Sequence, residues 1–294
     1  MNEILRTIKN GNTLLADGAM GTELQRRKLS LNSCPELYNV THAEIIKKIH
    51  ADYYASGSDI VETNTFGGSR IRLFQYGNEK RVGEFNRRAA ENAKEVCPVG
   101  KFVAGSIGPL GELIEPLGAV KTDEAYDAFK EQAQALAEGG VDIIFVETMM
   151  SVEEAETAVK AVKDSTSLPV SATMTFNLTA NGVFTSFGVD ARTAVMRLTE
   201  AGADLVGSNC GEGVAVILSV LKEMQVLTKT PLVGQPNAGK PRLTDNGYVY
   251  DETPEYMEPK IRELAGFNLG ILGGCCGTTP EYIKMMRRVL DESK

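Results

Sequence analysis

The sequence predicts a (β/α)8 TIM barrel, a single domain over residues 1–294, on three observations. Four segments, "ASGSDIVETN", "EGGVDIIFVET", "EAGADLVGSN" and "LAGFNLGILGG", share one form: glycine, one residue, Asp or Asn, then an apolar run. Four further apolar runs lie between them, which makes eight candidate strands, and helical patterns separate most of these. The connections are also asymmetric. Helix-to-strand turns are short, whereas strand-to-helix segments such as "PLGELIEPLGAVKTD", "NLTANGVFTSFGVD" and "NAGKPRLTDNGYVYDE" are long, and barrels keep their sites on those loops.

The first run, "TLLADGAMG" (13–21), ends in Asp17. After it, "THAEIIKKIHADYYASG" opens with a capping box, Thr41 and Glu44, and places Ile45, Ile46, Ile49 and Tyr53 on one helical face. Gly57 then ends that helix with φ > 0 and feeds the second strand, and Gly140, Gly202 and Gly266 do the same for the fourth, sixth and eighth. The third, fifth and seventh strands fall in "KFVAGSIG" (101–108), "LPVSATMTF" (168–176) and "TPLVGQPNAG" (230–239). "SVEEAETAVKAVKD" opens with Ser151 and Glu154 and repeats apolar residues at Ala155, Ala158, Val159 and Val162. "TPEYMEPKIRELAG" and "TPEYIKMMRRVL" each begin with an N-cap threonine, a first-turn proline and an acid suited to the helix dipole. A doubly wound sheet would open on G-x-G-x-x-G, and "DGAMGT" is not that turn.

A hydrophobic share of 43% and a charged share of 24% are those of an ordinary globular protein. The net charge of −8 argues against a nucleic-acid or anionic-membrane binder, and no apolar stretch is long enough to span a membrane. "MNEILRTIKNGNT" does not read as a signal peptide, and five cysteines are too few and odd for a disulfide framework, so a cytoplasmic location is expected. In that compartment clustered cysteines point to metal or catalysis.

Each strand end brings chemistry to the barrel mouth. Cys210 closes the sixth strand, and Cys275 and Cys276 close the eighth, two positions away around the barrel. Three thiolates with a fourth position open is the ligand count of a catalytic zinc site, and soft sulfur favours Zn2+ or cuprous copper. Cys34 and Cys97 read as structural cysteines, and His42 and His50 as residues of a helix surface. An anion held by the amides of Gly273, Gly274 and Gly277 is the lesser reading of "GGCCGT", because it leaves the thiols unexplained. Asp17, Glu62 and Glu147 end apolar runs, where an unpaired carboxylate is costly. They suit a cationic substrate group and the amides of "DGAMGT" an anionic one, and an amino acid carries both.

Taken together, "LADGAMGTELQ", "ETNTFGGSR", "GSIGPLGE", "FVETM", "SATMTF", "GSNCGEG", "GQPNAGKP", "VYDETPEYM" and "GGCCGTTPEYI" resemble the homocysteine S-methyltransferase family along essentially the whole chain. The likeness is to the homocysteine-binding barrel of cobalamin-dependent methionine synthase, and more distantly to betaine– and S-methylmethionine–homocysteine methyltransferases. It implies zinc on Cys210, Cys275 and Cys276, an amino group on Asp17 and Glu147, a carboxylate on the amides of Gly18 and Ala19, and Asn237 near the metal. It further implies methyl transfer to homocysteine from methylcobalamin held by a corrinoid protein in trans or by another module. S-methylmethionine or betaine as donor, and a zinc-dependent thiol amino-acid binding module without transfer activity, are the alternatives. Two departures stand out: Glu212 and Val214 occupy a region where the family commonly has proline, and the chain has no tryptophan for a betaine cage.

Overall fold

All eight apolar runs pair into one parallel sheet in the computed structural model, which describes residues 2–31, 33–244 and 247–293. The strands are β1 (Leu14–Leu15), β2 (Ile60–Glu62), β3 (Phe102–Ile107), β4 (Ile143–Met149), β5 (Val170–Met174), β6 (Leu205–Cys210), β7 (Leu232–Pro236) and β8 (Leu269–Leu272). Their order is β1-β8-β7-β6-β5-β4-β3-β2, every neighbouring pair parallel. The seam between β1 and β2 is closed by single bonds rather than a ladder. Asp59 donates its N–H to the Leu15 carbonyl at 2.6 Å, and Asp17 Oδ2 accepts from the Glu62 N–H at 3.1 Å. The chain is therefore a (β/α)8 barrel, nearly closed by ladder pairing.

The Gly-x-Asp repeat has a second job. The Asp59, Asp142 and Asp204 carboxylates accept backbone N–H groups of Leu15, Val103 and Val170, at 2.9, 2.7 and 2.9 Å, pinning each even strand to the start of the odd strand before it. Lys101, Lys94 and Lys163 pair with the same three carboxylates. At the fourth repeat the Asn268 backbone carbonyl replaces the side chain and accepts from the Leu232 N–H. Three of the four glycines have positive φ, at 106°, 90° and 104°, but Gly266 has φ −81°. Here the glycine is itself the C-cap, whereas Gly57, Gly140 and Gly202 lie one residue beyond theirs.

Two apolar layers result. Inside the barrel, Leu14, Ile60, Phe102, Phe145, Leu205, Val233 and Ile271 pack with Ile4 and Ile8 of an N-terminal helix, Glu3–Lys9, that plugs the bottom. Outside, the helices bury Ile46, Ile49, Ala155, Ala158, Val159 and Val162 against the sheet. The Thr41–Glu44 capping box does not form, because Thr41 ends a separate short helix, Tyr38–Thr41, and its hydroxyl donates to the Leu37 carbonyl. Ser151 does cap its helix, accepting from the Glu154 N–H, while the Glu154 carboxylate is drawn to the Leu110 N–H instead. His42 is exposed as expected, but His50 is fully buried: the helix Ala43–Ala55 carries it on the face turned to the core. The loops after β5 and β7 fold into hairpins, Asn177–Thr179 with Gly182–Phe184 and Arg242–Thr244 with Gly247–Val249. No helix among the described residues is long and apolar enough to cross a membrane.

Candidate active site

The strand ends bring three sulfurs together. β6 and β8 flank β7, and the Sγ atoms of Cys210, Cys275 and Cys276 all lie within 4.8 Å of one another. Backbone bonds hold the loops that carry them: Cys275 donates to the Pro236 carbonyl at 2.9 Å, and Ala238 donates to the Cys276 carbonyl at 3.0 Å. Gly277, at φ 82°, lets the Tyr250 ring lie against the backbone, where a Cβ would sit 2.3 Å from a ring carbon. The neighbouring Tyr250 side chain acts to lower the Cys276 thiol, against the stronger effects that raise it.

The donor set suits a soft cation. Hydrogen bonds from Cys275 and then Cys276 pull the Cys210 thiol down to about 3, while the same contacts push Cys275 well up and Cys276 up to about 12. Such a cluster gives up one proton readily and holds the other two until a metal replaces them. Asn237 adds a buried oxygen: its Nδ2 donates to the Gly211 carbonyl at 2.6 Å, and its Oδ1 has no hydrogen-bond partner among the described residues. Cys34 and Cys97 stand apart, bonded to Glu36 and to the Pro98 carbonyl.

The sulfurs border a cavity of about 430 Å³ that Glu62 and Glu147 also line. Glu147 accepts from Ser106 Oγ at 2.5 Å and from Asn209 Nδ2 at 3.0 Å, and Glu62 accepts from Gln235 Nε2 at 2.5 Å. Glu62 and Glu147 are close enough for each to shift the other's ionisation. Burial raises the carboxyls of Asp17, Glu62 and Glu147 above their ordinary range; Glu147 raises Asp17 further, and Glu147 and Asp17 both raise Glu62. No lysine or arginine lines the cavity among the described residues, and Asp17 Oδ1 has no partner among them. The floor is thus acidic, uncompensated by protein cations, and complementary to an ammonium group.

Several sequence readings change in detail. The Ala19 N–H donates to the Thr278 carbonyl at 3.2 Å, so that amide is engaged within the protein, and a Cβ on Gly18 would meet Thr278 Oγ1 at 2.7 Å. The anion reading of "GGCCGT" loses its donors: Gly273 bonds to Gly234, Gly274 to Asp17 and Gly277 to Thr22. Glu212 turns outward to pair with Lys240 and does not line the cavity. Ser106 and Asn209 hold Glu147, Thr173 holds Asn209 and Gln235 holds Glu62, and sequence reasoning gave these four no role. Their signal was positional only: polar residues within apolar strands, close to the mouth.

A (β/α)8 barrel with a three-sulfur cluster beside a buried carboxyl floor defines the class of protein. Within it, residues 14–290 match the family model described as homocysteine S-methyltransferase, and the chain belongs to that family. It is 33% identical over 289 residues to the methionine synthase of Mycobacterium tuberculosis, covering 92% of this chain and 24% of that protein. To the methionine synthase of Mycobacterium leprae it is 30% identical over 300 residues, covering 96% and 24%. The chain therefore spans about a quarter of the length of these relatives. Its fold superposes on the homocysteine methyltransferase MmuM from Escherichia coli, oxidized form, with a TM-score of 0.81 at 23% identity over 98% of this chain and 99% of that one. The metallated form of the same protein gives a TM-score of 0.80 over 97% and 99%, also at 23% identity.

Proposed function

We propose that the cavity binds homocysteine and presents its sulfur to a methyl donor, yielding methionine. The observation that carries this reading is the convergence of the Cys210, Cys275 and Cys276 sulfurs within 4.8 Å at the edge of a cavity whose floor is acidic. Those three residues would hold Zn2+, and Asn237, with its unpaired oxygen, is the candidate fourth ligand when no thiol is present. Bound there, the ion would supply Lewis acidity that lets a thiol ionise near neutral pH. Asp17 and Glu147 would receive the substrate ammonium, with Glu62 beside Glu147 on the cavity wall, and the Gly18 amide would face the carboxylate. In the transfer the homocysteine sulfur gives up its proton, its lone pair forms the S–CH3 bond, and the donor–methyl bond breaks with its electron pair left on the donor.

The donor that accompanies the motif resemblance is a methyl-corrinoid (methylcobalamin) on a separate protein or module. A small cationic donor, S-methylmethionine or betaine, is the second reading, favoured by Phe66, Tyr248 and Tyr250 along the cavity. The test incubates zinc-loaded protein with homocysteine and each donor in turn and measures methionine. Production from methylcobalamin supports the first donor and production from a small cation the second. No methionine with any donor would leave a binding module. Metal analysis should find about one zinc per chain, lost in Cys275→Ala. A wild-type protein that takes up no zinc defeats the reading.

A further inference from the structure

Two non-glycine residues at the barrel mouth have left-handed backbones, Thr148 at φ 62° and Cys210 at φ 63°. Side chains other than glycine rarely hold this conformation unless their surroundings impose it. Thr148 directly follows the floor carboxyl Glu147, and Cys210 carries one of the three sulfurs. The residue before Cys210, Asn209, is 1% exposed, and its side chain reaches Thr148. Its Oδ1 accepts from the Thr148 N–H at 2.8 Å and from Thr173 Oγ1 at 2.9 Å. Its Nδ2 donates to Thr148 Oγ1 at 2.7 Å and to Glu147 Oε2 at 3.0 Å, and lies 3.9 Å from Cys275 Sγ. The Asn209 carbonyl accepts from Thr175 Oγ1 at 3.0 Å, which fixes the backbone just before Cys210.

We propose that Asn209 is a positioning residue that sets the separation between the Glu147 carboxyl and the sulfur cluster, and so selects homocysteine over the one-methylene-shorter cysteine. The inference rests on the homocysteine reading of the site. Both ends of the amide are in use, so Glu147 cannot move toward or away from the sulfurs without breaking bonds to a buried group. The left-handed Thr148 presents its N–H to Asn209 Oδ1, which locks the end of β4 in the same register. A thiol amino acid must span from that carboxyl to the sulfur cluster, and with both termini fixed its chain length is the variable that decides fit. One methylene in a pocket that only accommodates it is worth about 10- to 200-fold.

The experiment is titration calorimetry of L-homocysteine and L-cysteine into zinc-loaded wild type, Asn209→Ser and Asn209→Asp, with zinc content and circular dichroism recorded for each. Wild type should prefer homocysteine by about tenfold or more. Asn209→Ser should lose about tenfold in homocysteine affinity and bring the ratio of the two thiols toward unity, with zinc content unchanged. Asn209→Asp keeps the acceptor for Thr148 and Thr173 but loses the donation to Glu147. It should also flatten the ratio, and it carries the test if the serine variant does not fold or does not hold zinc. Variants that bind both thiols more weakly by the same factor, leaving the ratio at the wild-type value, would overturn the inference and reduce Asn209 to a structural residue. Wild type binding neither thiol would instead sink the homocysteine reading itself.

Discussion

His50 is the residue whose environment makes the sharpest prediction about stability. It is fully buried on the helix Ala43–Ala55, both ring nitrogens lack hydrogen-bond partners among the described residues, and desolvation lowers its pKa from 6.5 to about 4. The native state therefore keeps the ring neutral where the unfolded chain would protonate it. Above the unfolded pKa the two states bind the same number of protons and His50 has no pH-dependent effect. Below it the unfolded state gains a proton the native state refuses, so stability falls progressively as pH drops from 6.5 toward about 4. Taking those two pKa values, the loss between about pH 7.5 and about pH 5 is about 2 kcal/mol, approaching about 3 kcal/mol at lower pH. His50→Leu removes the titrating group and the unpaired nitrogens at similar volume. Because Asp17, Glu62 and Glu147 have raised pKa values and titrate with the opposite sign, only the difference between variant and wild type isolates His50. Urea unfolding of both proteins at the two pH values should show the variant gaining about 2 kcal/mol on wild type at the lower pH. Two unfolding free energies that fall in parallel would refute the reasoning.

Two further outcomes follow from named contacts. Glu147→Gln should weaken homocysteine binding about 10- to 100-fold by removing a charge-assisted contact, yet leave unchanged the binding of 4-mercaptobutanoate, which lacks the amino group. Equal losses for both ligands in calorimetry would show that Glu147 does not meet the ammonium. Asp142→Ala strips the acceptor from the buried Val103 N–H and the partner from Lys94, and should cost about 1–3 kcal/mol in denaturant unfolding with zinc content unaffected. Asp142→Asn, which keeps an oxygen for Val103, should cost less, and an alanine variant within about 0.5 kcal/mol of wild type would show that the pin contributes nothing.

The architecture was legible because burial on both faces of a parallel strand leaves a continuous apolar run, and eight such runs separated by helical periodicity permit few closures. The meeting of Cys210 with Cys275 and Cys276 followed from the same logic, since strands two apart in a closed barrel deliver their ends to one mouth. Residues 13–21 and 268–286 therefore carry their chemistry in the sequence itself. The connections across the barrel were not legible. Asn209 bonds to Thr148 61 positions away and Gln235 to Glu62 173 positions away, and no local pattern specifies which inward polar residues share a layer. The Thr41–Glu44 box and His50 went the other way because the helix cap lies one residue later, at His42, and the turned-in face of the helix proved wider than its apolar stripe. Sequence alone determined the strands, their order and the sulfur cluster, all of which depend on hydrophobic period and on closure. Tertiary structure decided which amides were already spent, which carboxyls lie side by side and which asparagine ties Glu147 to its neighbours, because hydrogen-bond partners are set by distance in space and not by spacing along the chain.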